Sequence, residues 1–238
     1  MRMALISFAG MSRVANLNVN VIVSYRNFCN KIWNAIKFAM KNFNGFDVSK
    51  YTLQKVIESG ATLSIADKWI LNKLNAAIKS AIKGCENFLM NDAISSMIHF
   101  FHDDFCSVYF ETIKPILSCS DDEKRKKTVI AILYECFETS LRMFHPFMPF
   151  ITENLWQRLP KRFDVPSIMI APFPSINQQW ESYQTETMEN AIKITSAIRK
   201  IKQAYNLKSN KIKVQIASNI PNIEDIFDSV LALAGICH

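Results

Sequence analysis

Tyr25-Arg26-Asn27-Phe28-Cys29-Asn30-Lys31-Ile32-Trp33-Asn34-Ala35-Ile36-Lys37-Phe38-Ala39 repeats its apolar side chains at three-to-four-residue spacing, at Tyr25, Phe28, Ile32, Ile36 and Ala39. At about 100° per residue these five share one side of a helix. Arg26, Asn27, Asn30, Lys31, Asn34 and Lys37 gather on the other side. Such a stripe must be covered, and the rest of the chain carries further stripes of the same period. Asp67 caps or opens a helix through Trp69, Ile70, Leu74, Ala77, Ile78 and Ile82, with Gly84 interrupting it. Asn91 or Asp92 opens the next, through Ile94, Met97, Ile98, Phe101, Phe105, Val108 and Tyr109, with a break at Pro115. Ser120, followed by Asp121, Asp122 and Glu123, is a capping pattern for a helix through Val129, Leu133, Phe137 and Leu141 towards Phe144. Pro146 and Pro149 bend the chain, and Thr152 starts a short helix through Leu155 and Trp156. Five helices on short loops make a bundle.

Beyond residue 160 the texture changes. Pro160, Pro166, Pro172 and Pro174 bracket Ile168-Met169-Ile170, which reads as a linker with one extended piece packed on the body. A helix follows over about 186–205, then Ile212, Val214 and Ile216 alternate with Lys213, Gln215 and Ala217 as a half-buried strand, and 223–233 is helical again. A lone strand is not stable. It pairs with a segment not legible as a strand, or the chain is cut short. The expected architecture is mainly α: a helical bundle over 1–160, a proline-bracketed linker and packing segment over 161–182, and a small truncated α/β piece over 183–238.

The 238 residues, 49% hydrophobic and 21% charged, suffice for a real core. Five scattered glycines leave no phosphate-cradling loop, and six cysteines that never come closer than 13 residues leave no zinc ribbon or redox pair. Unpaired cysteines fit a reducing cytoplasm. No apolar run reaches bilayer length, and the opening MRMALISFAG is too short for a secretion signal. The net charge of +7 is uneven. Residues 1–60 hold eight bases and two acids, and 190–223 hold seven bases and no acid. Two basic patches on a near-neutral body point to a polyanion; the plainer alternative is a solvated lysine surface.

Phe38 falls on the polar side of the first helix, beside Asn27, Lys31 and Asn34. A ring amid amides and ammonium groups is a stacking platform for a base, unless it packs under another helix or under the 42–46 loop. His99 and His102 lack a third ligand, so no metal is expected. His145 reads as a helix-end histidine facing the last carbonyls. Asp103, Asp104 and Glu111 read as a solvated face, and no serine or cysteine sits in a nucleophile context.

The 25–39 run resembles the first helix of the anticodon-binding domain of valyl-tRNA synthetases, YRxFCNKLWNAxKFA. In the same order, Asp67-Lys68-Trp69-Ile70-Leu71 resembles DRWILSRL, and Asp103-Asp104-Phe105-Cys106-Ser107-Val108-Tyr109 resembles DEFCDWY. His145-Pro146-Phe147-Met148-Pro149-Phe150-Ile151-Thr152-Glu153-Asn154-Leu155-Trp156 resembles HPFMPFITEELW. Ser167-Ile168-Met169-Ile170-Ala171-Pro172-Phe173-Pro174 resembles SIMxAPYP, and 198–207 is similar to IRSLRAEYNL. The resemblance implies a bundle gripping the anticodon arm of valine tRNA, with Lys31, Lys37 and Phe38 at the anticodon. Arg13, Asn20, Arg26, Asn34, Lys41, Arg199 and Lys202 are the candidates for backbone or loop contacts. Asn20 stands where some members place an arginine. His102 and Val108 stand where the family has tryptophan. The HIGH and KMSKS signatures and the editing domain are absent, so the chain alone is not expected to activate an amino acid. ATP and magnesium would belong to a catalytic domain, with no cofactor in this chain. The expected partners are valine tRNA and the rest of the synthetase in cis, with no DNA and no membrane. The rival expectation is a non-catalytic helical scaffold derived from the same fold.

Overall fold

The computed structural model describes residues 2–8, 19–43, 45, 47, 52–119, 122–206 and 227–234. The elements are α1 (Arg2–Ile6), α2 (Val19–Met40), α3 (Leu53–Glu58), α4 (Ile65–Glu86), α5 (Met90–His99), a π-helical segment (Phe100–Tyr109), α6 (Phe110–Cys119), α7 (Glu123–Phe144), α8 (Pro149–Trp156), a 3-10 turn (Ile168–Ile170), α9 (Gln178–Glu181), α10 (Glu186–Ala204) and α11 (Phe227–Ala234). No strand occurs among the described residues. The expected strand over 212–217 lies outside them, as do Ser120 and Asp121.

The first stripe folds as its period dictates. Phe28, Ile32, Ile36 and Ala39 of α2 are buried. They pack into an aromatic core built from three helices, in which Phe28 meets Phe144 edge-on at 5.4 Å, Phe101 meets Phe144 at 5.9 Å, and Phe105 meets Phe137 at 4.8 Å. Edge-to-face pairs of this kind add about 0.5–1.5 kcal/mol each beyond simple burial.

Several boundaries differ from the sequence reading, each for a physical reason. Helix α4 is capped by Ser64 and not by Asp67. Asp67 is its third residue and closes a capping box, accepting from the Ser64 backbone N–H at 2.9 Å. Gly84 does not interrupt α4. A Cβ there would lie 2.8 Å from the Ala93 Cβ and 3.0 Å from the Leu89 carbonyl oxygen, so the glycine lets α5 cross close by. The helix ends two residues later in a Schellman turn. The Leu89 N–H donates to Gly84 at 2.7 Å, the Phe88 N–H donates to Cys85 at 3.3 Å, and Phe88 takes the left-handed position with φ 58°.

Pro115 does not break its helix either. Helix α5, the π segment and α6 run on from residue 90 to residue 119. The proline sits on the exposed side, where water can serve the carbonyl it leaves unpaired. Helix α8 starts at Pro149, whose fixed φ suits the first turn, and not at Thr152. Thr152 is buried inside it, its hydroxyl donating to the Met148 carbonyl at 2.9 Å. His145 accordingly faces no helix-end carbonyl. Its Nδ1 lies 2.8 Å from the Thr152 hydroxyl, and burial lowers its pKa, with Glu153 opposing. Ile168-Met169-Ile170 is a single 3-10 turn capped by the Ser167 hydroxyl; Ile168 is buried and its two neighbours are exposed.

Two buried ionic clusters fasten the bundle. Asp67, fully buried, accepts from Arg125 of α7 in an ion pair and from the Tyr109 hydroxyl at 2.8 Å, and Arg125 also reaches the Ser64 hydroxyl at 3.0 Å. Glu138, also fully buried, is paired with Arg142 at 2.8 Å, approached by Arg162 at 3.5 Å and by the Trp156 indole N–H at 3.4 Å. Arg142 in turn donates to the Pro172 carbonyl at 2.7 Å, which ties the proline-bracketed segment to α7. The aromatic core thus has a fixed frame, and α2 is the helix that carries it to the surface.

Candidate nucleic-acid interface

Helix α2 lies beside the π segment and α6 in parallel, with Phe28 against Phe101, Lys31 against His102 and Phe38 against Phe110. The wheel that buries Phe28, Ile32 and Ile36 leaves Arg26, Asn27, Asn30, Asn34 and Lys37 exposed. Lys41, just past the end of α2, is exposed too.

Phe38 combines both possibilities that the sequence left open. It is 42% exposed, and it meets Phe110 edge-on at 5.3 Å. Phe110 leans on Phe105 at 6.1 Å and on Phe137 at 6.2 Å. The ring is therefore the outermost member of the core's aromatic chain, partly packed on Phe110 and partly open to solvent. A ring held in this way loses little side-chain freedom when a base stacks on it.

Lys31 is half-buried. Its ammonium donates to the main-chain carbonyl of His102 at 3.3 Å, and the Ser107 hydroxyl donates to the same oxygen at 2.7 Å. A π-helix pairs each carbonyl with the residue five ahead, which is the spacing from His102 to Ser107. Burial pushes the neighbouring Cys106 thiol up to about 12, with the nearby Lys31 ammonium pulling it down. Lys37 projects freely from the last turn of α2, at the end of the helix where the macrodipole favours a cation.

The other sequence candidates are scattered. Asn20 is exposed on the first turn of α2, and Arg13 lies outside the described residues. Arg199 and Lys202, on α10, are engaged by the protein itself. Arg199 donates to the Leu233 carbonyl at 2.5 Å and Lys202 to the Ala234 carbonyl at 3.3 Å, so both close the carbonyl end of α11. Sequence reasoning missed Arg158, whose guanidinium lies 5.1 Å from the ring centre of Trp33 on the opposite flank of α2 from Phe38. Only tertiary placement of α8 brings that pair together.

What this face can do chemically is limited and clear. It offers one open ring, amides that can meet base edges, and ammonium groups for phosphate. Among the described residues no three potential metal ligands gather, and no helix is long and apolar enough to cross a membrane. Cys29, Cys85, Cys106 and Cys136 are free thiols.

Residues 67–217 match the family described as the anticodon-binding domain of tRNA ligase. The chain is similar to the valine–tRNA ligase of Caenorhabditis elegans, 34% identical over 98% of this chain and 22% of that protein. It is 35% identical to the Homo sapiens valine–tRNA ligase over 87% of this chain and 16% of that protein. The Geobacter sulfurreducens valine–tRNA ligase is 39% identical over 84% of this chain and 22% of that protein. The chain thus spans about a fifth of the length of the curated relatives it matches.

Proposed function

The chain belongs to the anticodon-binding domain family of tRNA ligases, and from that premise we propose that it reads the anticodon arm of valine tRNA as the recognition module of a valine–tRNA ligase. The observation that carries the proposal is Phe38, 42% exposed yet braced by Phe110, on a helix face otherwise made of amides and bases. An anticodon base stacks on this ring. Asn34 and Lys31 lie along the same helix face to meet base edges, and Lys37 and Lys41 meet the loop phosphates. The module itself uses no cofactor; ATP and magnesium serve the ligase's catalytic domain. Its other partner is the body of the ligase in cis, and its compartment is the cytoplasm, which suits the four free thiols among the described residues.

The test is a gel-shift titration of the purified chain with a valine tRNA transcript, and with the same transcript carrying an unrelated anticodon. Stacking on Phe38 tolerates any base, so it is the reading of base edges by the neighbouring amides and ammonium groups that predicts tenfold or more weaker binding of the altered RNA. Equal binding of the two would assign the charge to a non-specific basic surface and return the fold to the scaffold reading.

A further inference from the structure

The residue whose carbonyl holds the Lys31 ammonium carries an exposed aromatic side chain of its own. The His102 imidazole is 46% exposed, and its Nδ1 lies 2.7 Å from an Asp103 carboxylate oxygen. That contact engages Nδ1 and leaves the ring face and Nε2 for a ligand.

We propose that His102 is a second base-stacking residue, so that the groove between α2 and the π segment holds a further nucleobase of the same single-stranded RNA loop. This rests on the anticodon reading of Phe38. The His102 main chain and the Phe38 ring mark successive points along α2. His102 is level with Lys31, and Phe38 lies seven residues further along α2, about 10 Å at the helical rise. A nucleobase and not a phosphate belongs at His102, because the Asp103 carboxylate, 57% exposed beside the imidazole, repels an anionic backbone. A neutral base has a stacking face, edge donors for Nε2, and no such penalty. Lys31 and His102 then act together, the ammonium fixed on the groove floor and the ring at its rim.

Substitution isolates the ring cleanly. Lys31 is tethered to the main-chain oxygen of residue 102, so His102→Ala removes the imidazole and leaves the tether in place. The experiment compares wild type, His102→Ala, His102→Phe and Phe38→Ala, each titrated with a valine tRNA transcript and each checked by thermal unfolding. His102→Ala is expected to bind at least about fivefold more weakly with its unfolding midpoint unchanged, and His102→Phe to stay within about twofold of wild type. Wild-type affinity in His102→Ala beside a weakened Phe38→Ala overturns the second stacking site and leaves the anticodon reading standing. Equal weakness in His102→Phe and His102→Ala also overturns it, since a ring alone would then not suffice. Wild-type affinity in both alanine variants removes the anticodon reading as well.

Discussion

Phe38→Ala is expected to weaken binding to valine tRNA by about 1–3 kcal/mol, roughly 5- to 150-fold, while the helix content is unchanged. Phe38 is 42% exposed, so its removal forfeits the burial of the rest of the ring, about 1–2 kcal/mol. The edge-on pair with Phe110 adds about 0.5–1.5 kcal/mol to that loss of stability. Stability and affinity therefore both fall. A modest fall in the unfolding midpoint accompanies a large fall in affinity, and a leucine at 38, apolar but without a π face, shares the loss of affinity. Unchanged RNA affinity in Phe38→Ala, measured by gel shift beside wild type, would remove the ring from the interface.

A second large effect concerns the frame behind that face. Asp67→Ala strips the partner from Arg125 and from the Tyr109 hydroxyl at a fully buried point. Breaking a buried, hydrogen-bonded ion pair from one side costs about 3–5 kcal/mol, because the remaining charge is left in low dielectric. In a domain of this size each kcal/mol moves the midpoint by about 2–4 °C, so thermal unfolding followed by circular dichroism is expected to shift down by roughly 6–20 °C. Arg125→Ala belongs to the same cluster, and the double variant is expected to fall well short of the sum of the two single losses. A shift under about 2 °C for Asp67→Ala would show the cluster to be decorative. Tyr109 reports on the same site. Burial first, and the neighbouring Asp67 second, push its phenol well above the usual tyrosine range, so it stays protonated and donating throughout the pH span in which the protein is folded.

The parts of this molecule that were legible in sequence are those set by local periodicity. The α2 stripe predicts both the buried set, Phe28, Ile32, Ile36 and Ala39, and the displaced ring, because 3.6-residue geometry alone separates Phe38 from them. The bundle is likewise readable from five such stripes. What escaped was decided by tertiary contact. Gly84 looked like a helix stop because glycine is a weak helix former, yet it is required by the close approach of Ala93 from the following helix. The true stop places Phe88 in a left-handed conformation that a phenylalanine does not advertise. Arg199 and Lys202 read as free cations, and only the docking of α11 supplies the carbonyls they cap. The π register of Phe100–Tyr109 has no local signature either. It sets the His102 carbonyl where the Lys31 ammonium reaches it.

An anticodon base lying on the Phe38 ring would be seen in the ring's own nuclear magnetic resonance. The Phe38 ring protons are followed while the chain is titrated with the anticodon stem–loop of valine tRNA, and then with the same stem–loop made abasic at the anticodon. A base over the ring shifts those protons upfield, so the intact loop is expected to move them and the abasic loop to leave them in place. Ring signals that stay fixed while the intact RNA binds elsewhere on the protein would contradict the account.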